Sequence, residues 1–187
     1  MNKILSTLTL ILSVASTQAD IFDINLNDTN NPSGILSGVF EAPTPNASTA
    51  TAGEVGAGIT YDNATSLLTI NLAYGLFGFQ PLTGSYTASH IHQGAVGVAG
   101  PVAISLAGLN TPVGPNAGFY SGSVALNLAQ ETSLFDNLLY LNIHSSSFPG
   151  GEIRAQLIPS TVPEPSTAVL VAAGIATFLV VRRLRSK

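Results

Sequence analysis

No cysteine occurs anywhere in the chain. Disulfide staples and thiolate metal sites are therefore excluded, and any folded part must rely on an ordinary apolar core. Basic residues are nearly as scarce. Lys and Arg number six in 187 residues. Lys3 sits near the N-terminus, and Arg182, Arg183, Arg185 and Lys187 sit in the last turn of sequence. Only Arg154 remains between Asp20 and Val162, against Asp20, Asp23, Asp28, Glu41, Glu54, Asp62, Glu131, Asp136 and Glu152. That stretch therefore carries −8, although the whole chain carries −4. One cation cannot neutralise a run of phosphates, which excludes nucleic-acid binding. No Ser-His-Asp set, phosphate loop or spaced carboxylate pair stands out either, and there is no internal repeat.

What is present begins with the two ends. Lys3 forms a short positive region, Ile4 to Val14 is apolar, and Thr17-Gln18-Ala19 offers small residues to a signal peptidase. Residues 1–19 thus read as a signal peptide cleaved after Ala19. At the other end, Ser166 to Val181 is apolar and is followed by the basic cluster. Sixteen helical residues span only about 24 Å, a short membrane span whose basic end stays cytoplasmic. Both signals put everything before Ser166 across a membrane. The expected organisation is a signal peptide at 1–19, a lead-in at 20–33 and a domain at 34–158. A linker follows at 159–166, then a transmembrane helix at 167–181 and a cytoplasmic tail at 182–187.

The middle of the chain reads as β. Gly38–Glu41, Glu54–Tyr61, Leu67–Tyr74, Thr83–His92, Pro101–Leu106, Gly118–Leu128, Leu139–His144 and Glu152–Ile158 carry β-branched, aromatic or alternating apolar residues between Gly, Pro, Asn and Ser clusters. About eight short strands at this spacing predict an all-β fold, an antiparallel Greek-key-like sandwich. Ala129–Asn137 is the one helical stretch, and Pro43–Gly53 reads as a loop of small residues.

The C-terminal segment carries a resemblance. Val162-Pro163-Glu164-Pro165, then the apolar run, then Arg182, Arg183 and Arg185, is similar to the PEP-CTERM sorting signal of Gram-negative bacteria. The resemblance implies an exosortase-type enzyme as partner. It also implies transient residence in the inner membrane, then delivery to the periplasm, cell surface or an exopolysaccharide-rich matrix. Physically, the two prolines hold Glu164 in an extended segment just outside the bilayer.

The only three histidines, His90, His92 and His144, fall in two motif-like stretches. On a strand, His90 and His92 point to one face. In the second stretch Leu139, Leu141 and Ile143 form an apolar face, and Tyr140, Asn142 and His144 a polar one. A hairpin across Ser145–Gly151 would set His144 beside Glu152 and Asn142 beside Arg154. Three readings follow. The first is a buried polar network of Asn142, His144, Glu152 and Arg154 that fixes strand register. The second is a single zinc or copper ion held by His90, His92 and His144, with Glu152 as a further or outer ligand. The third is catalysis.

These stretches also resemble the CHRD domain. The carrying residues are His90-Ile91-His92, Gly100-Pro101-Val102, Asn142-Ile143-His144 and Pro149-Gly150-Gly151-Glu152-Ile153-Arg154-Ala155-Gln156-Leu157, with Glu41-Ala42-Pro43 upstream. Departures are Ser89, Gln93 and Ala155, where the family favours Ala, Gly and Gly. The resemblance implies a β-fold and an exported location, and names no reaction. Together these readings lead to the expectation of a non-enzymatic, surface-sorted binding or structural protein, with an exopolysaccharide or surface protein as partner. A metal-binding protein or metalloenzyme is the alternative.

Overall fold

The computed structural model describes residues 20–27 and 34–161. The expected signal peptide, the expected sorting residues Val162 to Arg185 and the expected transmembrane helix lie outside the described residues. Among the described residues no helix is long and apolar enough to cross a membrane.

The fold is all-β and antiparallel, with ten strands and one short α-helix among the described residues. The strands are β1 (Ile21–Asn27), β2 (Ile35–Ser37), β3 (Thr51–Asp62), β4 (Leu67–Tyr74), β5 (Tyr86–Gln93), β6 (Val102–Ser105), β7 (Asn110–Pro112), β8 (Gly118–Ala125), β9 (Leu139–Ser145) and β10 (Ile153–Thr161). They form one continuous sheet in the order β6-β5-β9-β10-β1-β3-β4-β8-β7, and β2 bridges β10 and β3. Hairpins join β3 to β4, β5 to β6, β7 to β8 and β9 to β10, whereas the pairs β5–β9 and β4–β8 are distant in sequence. The sheet folds over on itself in a sandwich-like manner. Leu68, Ile70, Leu72 and Tyr74 of β4 share one core with Ile91 of β5, Leu141 and Ile143 of β9, and Ile153, Ala155 and Leu157 of β10. Each buried Leu or Ile side chain contributes about 1.5–3 kcal/mol by leaving water, which offsets the absence of disulfides.

The helix α1 (Leu128–Phe135) follows from local chemistry. The Asn127 side chain accepts from the Gln130 N–H, and the Gln130 side chain accepts from the Asn127 N–H, a reciprocal capping box. The helix ends at Asp136, and Asn137 takes a left-handed φ of 58°.

Three expectations change. Of the expected lead-in, Ile21–Asn27 is a strand of the sheet. In β1, Ile24 and Leu26 are buried while Asp23 and Asn25 face out, and the strand pairs with both β10 and β3. The linker at 159–166 begins later than expected, because Pro159, Ser160 and Thr161 pair with Ile24, Asp23 and Phe22. Gly38–Glu41 is not a strand; Gly38–Phe40 makes a 3-10 turn closed by the Glu41 N–H on the Gly38 carbonyl.

Candidate metal centre

β9 is buried along its whole length, on both faces. One face, Leu139, Leu141 and Ile143, enters the core. The other carries Tyr140, Asn142 and His144, so polar groups are sealed in and must find partners. The expected β9–β10 register is met: Arg154 pairs with Asn142, and Ile153 with Ile143. On the other side β5 sets His90 opposite Asn142 and His92 opposite Tyr140. The three histidines therefore rise from one patch of a single sheet face.

Two segments cover that face. The first is the loop between β5 and β6, where Gly94 and Gly100 fold back over Tyr140. The His92 Nδ1 lies 2.9 Å from the Gly100 carbonyl oxygen, and the Gly100 N–H donates to the Tyr140 hydroxyl at 3.0 Å. A Cβ at position 100 would run into the Gln93 carbonyl, so only glycine fits. The second is the turn between β9 and β10, where the His144 Nδ1 lies 3.0 Å from the Pro149 carbonyl oxygen.

These two contacts set the tautomers. A carbonyl oxygen accepts only, so His92 and His144 each carry their proton on Nδ1 and present a bare Nε2 lone pair. The two lone pairs meet His90. The His90 Nδ1 is 3.3 Å from the His144 Nε2, and the three candidate donor nitrogens all lie within 4.8 Å of one another. The His92 Nε2 is buried and has no hydrogen-bond partner. A tetrahedral zinc ion at 2.0–2.1 Å from each imidazole holds its nitrogens about 3.3–3.4 Å apart, the spacing already present between His90 and His144. Burial also lowers the affinity of His92 and His144 for a second proton, against the bonds to Gly100 and Pro149. Both rings are thus neutral near pH 7, the state a metal requires.

Glu152 does not join this cluster. Its carboxylate accepts from the Ser48 hydroxyl at 2.6 Å and from the Thr83 N–H at 2.7 Å. Burial alone would raise its pKa, but hydrogen bonds from Ser145, Ser48 and Thr83 outweigh it and hold the carboxyl below its usual range. The expectation of Glu152 as a ligand assumed that its side chain follows the alternation of β10. The strand starts only at Ile153, after Gly151 at φ 133°, and the carboxylate turns to the Ser145 side instead.

Arg154 does share the histidine face. Its guanidinium lies 3.4 Å from the Tyr140 ring centre and donates to the Ala95 and Val98 carbonyls. His92 stacks on the same ring, with centroids 5.0 Å apart and planes 8° from parallel. Gln156 donates to the Gly94 and Asn137 carbonyls. The expected network of Asn142, His144, Glu152 and Arg154 is thus only partly assembled, since Glu152 faces other partners.

Two participants were not among the expected site residues. Tyr140 was legible as a member of the polar face, but its place between His92 and Arg154 depends on three strands. Glu41 reaches Asn142 from the segment after the 3-10 turn: the Asn142 Nδ2 donates to its Oε2 at 3.2 Å. Burial pushes the Glu41 carboxyl up to about 7, against the pull of Arg154 and the bonds from Asn142 and the Ala42 N–H. The Glu41 Oε1 and Asn142 Oδ1 are buried and lack hydrogen-bond partners.

The geometry can hold one divalent ion through three imidazoles, two of them aimed by backbone carbonyls, the outer-shell pattern of imidazole metal sites. No curated protein and no solved structure matches this chain. The model of the CHRD domain matches residues 21–157, most of the chain and nearly all of the sheet, and the protein belongs to that family.

Proposed function

We propose that this chain is an exported protein whose CHRD domain binds one transition-metal ion, zinc or copper, through His90, His92 and His144. The observation that carries the reading is the buried Nε2 of His92, which has no hydrogen-bond partner, on a ring grouped with His90 and His144 so that one nitrogen from each lies within 4.8 Å of the others. An unpartnered buried acceptor is costly, and a cation relieves it. With no cysteine, three imidazoles are the softest donors this domain has, and they suit zinc or copper over magnesium or calcium. Metal analysis of the purified full chain tests this directly. One equivalent of zinc or copper, lost in His92→Ala and His144→Ala, is expected; a substoichiometric content after loading would end the reading.

The route of delivery belongs to the same proposal. Signal peptidase removes residues 1–19, and an exosortase-type enzyme reads Val162, Pro163, Glu164 and Pro165 with the apolar run and Arg182, Arg183 and Arg185. The protein then passes from the inner membrane to the periplasm, surface or matrix of a Gram-negative bacterium. The order of the three C-terminal parts supports this, as does the placing of basic residues at the two ends. Recovery of the whole unprocessed chain in the cytoplasmic fraction would refute it.

A second reading has its own observation. The His92 and His144 rings already anchor two loops through Gly100 and Pro149, and His92 stacks on Tyr140. On that reading the imidazoles fix the sheet, and the protein is a non-enzymatic binding or structural component of the envelope, facing exopolysaccharide or a surface protein. Here His90→Ala lowers the melting temperature while metal content stays at background.

A further inference from the structure

We infer that an ion at His90, His92 and His144 takes its fourth ligand from outside the chain, a water or hydroxide that exchanges with small anions. The inference rests on the metal-binding reading above. Structural zinc sites are closed by four protein donors, whereas sites that handle an exchangeable ligand keep three. Among the described residues the cluster has three members and no fourth histidine, aspartate or glutamate.

The nearby carboxylates do not join the three imidazoles. Glu152 accepts from Ser48 and Thr83 through Oε1, and Glu41 accepts from Asn142 through Oε2. Their second oxygens, Glu152 Oε2 and Glu41 Oε1, are buried without a hydrogen-bond partner but lie outside the histidine group. Tyr140 is covered by His92 on one side and Arg154 on the other, and its hydroxyl meets Gly100.

Access is one-sided. His92 and His144 are 9% exposed, while His90 is half-buried, so the incoming ligand approaches past His90. The strand beside His90 is β6, only four residues long and at the edge of the sheet. On the β6 side, Ser105 stands opposite His90 and Val102 opposite His92. Three neutral imidazoles leave an ion with its full double positive charge, so the preferred ligand is a compact anion: hydroxide, azide or a small carboxylate.

The test uses the full chain loaded with cobalt(II), whose visible bands report coordination number and ligand exchange. Loading to one equivalent is measured first, then azide is added. A saturable shift of the bands, absent in His144→Ala, is the expected result. One equivalent of cobalt with bands indifferent to azide would overturn the inference and leave the metal site standing as a closed one. Failure to load one equivalent would overturn both. A His90→Asp variant keeps a donor at that position and separates loss of folding from loss of ligand exchange: it should still load cobalt and still respond to azide with a different band position.

Discussion

Replacing Glu41 with glutamine should make the protein more stable at pH 8 and leave it nearly unchanged at pH 4.5. The Glu41 side chain is 6% exposed, and burial raises its carboxyl from 4.5 to about 7. In the unfolded chain it ionises near 4.5. Below that value both states hold the proton, and the group contributes no pH dependence. Between 4.5 and 7 the folded state holds a proton that the unfolded state has released, so stability falls as pH rises. The loss is complete above the folded pKa. A shift of about 2.5 pH units at 1.36 kcal/mol per unit comes to about 3 kcal/mol. Glutamine removes this dependence and pairs with the Asn142 amide at both ends: its oxygen keeps the bond from the Asn142 Nδ2, and its amide N–H, replacing the orphaned Oε1, donates to the orphaned Asn142 Oδ1. Arg154 loses a favourable charge in the variant, so the net gain at pH 8 should be about 1–3 kcal/mol. Urea unfolding of both proteins from pH 4.5 to 9 reads the difference. It should open between pH 4.5 and 7 and then stay level. A difference that is flat across this range, or a glutamine variant that is less stable at pH 8, would refute the placement of a desolvated carboxyl at position 41.

Zinc at a hundredfold excess over its dissociation constant should stabilise the fold by about 2.7 kcal/mol, seen as a rise in melting temperature that a chelator reverses. Because the ligands must be neutral, this rise should vanish as pH falls through the histidine range, later than for ordinary histidines given the lowered pKa of His92 and His144. Glu152→Ala should lower stability by about 3 kcal/mol, since the carboxylate holds Ser48 and Thr83, yet leave metal stoichiometry intact; loss of metal in that variant would place Glu152 at the site after all. Gly100→Ala should displace the loop that aims His92 and weaken metal affinity by about 10–100-fold, measured by chelator competition.

Much of the sheet was legible because burial imposes a period of two. Leu67–Tyr74, Leu139–His144 and the Arg154–Asn142 register all follow from alternation together with a short turn. β1 had the same alternation, yet what makes it part of the domain is pairing with strands that lie far away in sequence. The three-residue β7 and β2 carry too few residues to display any period. Glu152 shows the limit most clearly. Counting along the strand puts it beside His144, but the turn through Gly151 changes which way its side chain leaves the backbone.

The sequence by itself determined the class of fold, the family resemblance, the charge of the central stretch and the identity of the three histidines. It could do so because composition and periodicity are local properties, and because three histidines in two motifs allow few arrangements. Only the tertiary structure decided that those histidines converge. It also decided that Gly100 and Pro149 set their tautomers, that Glu41 is the buried acid beside them, and that Glu152 is not. The convergence and the partners of Glu41 and Glu152 depend on segments 54 to 104 residues apart in sequence, whereas the Gly100 and Pro149 contacts span 8 and 5 residues and depend on how two loops fold back over β5 and β9. A hydrogen-bond donor or a carbonyl has no sequence pattern of its own, so its partner becomes visible only when the chain has folded back on itself.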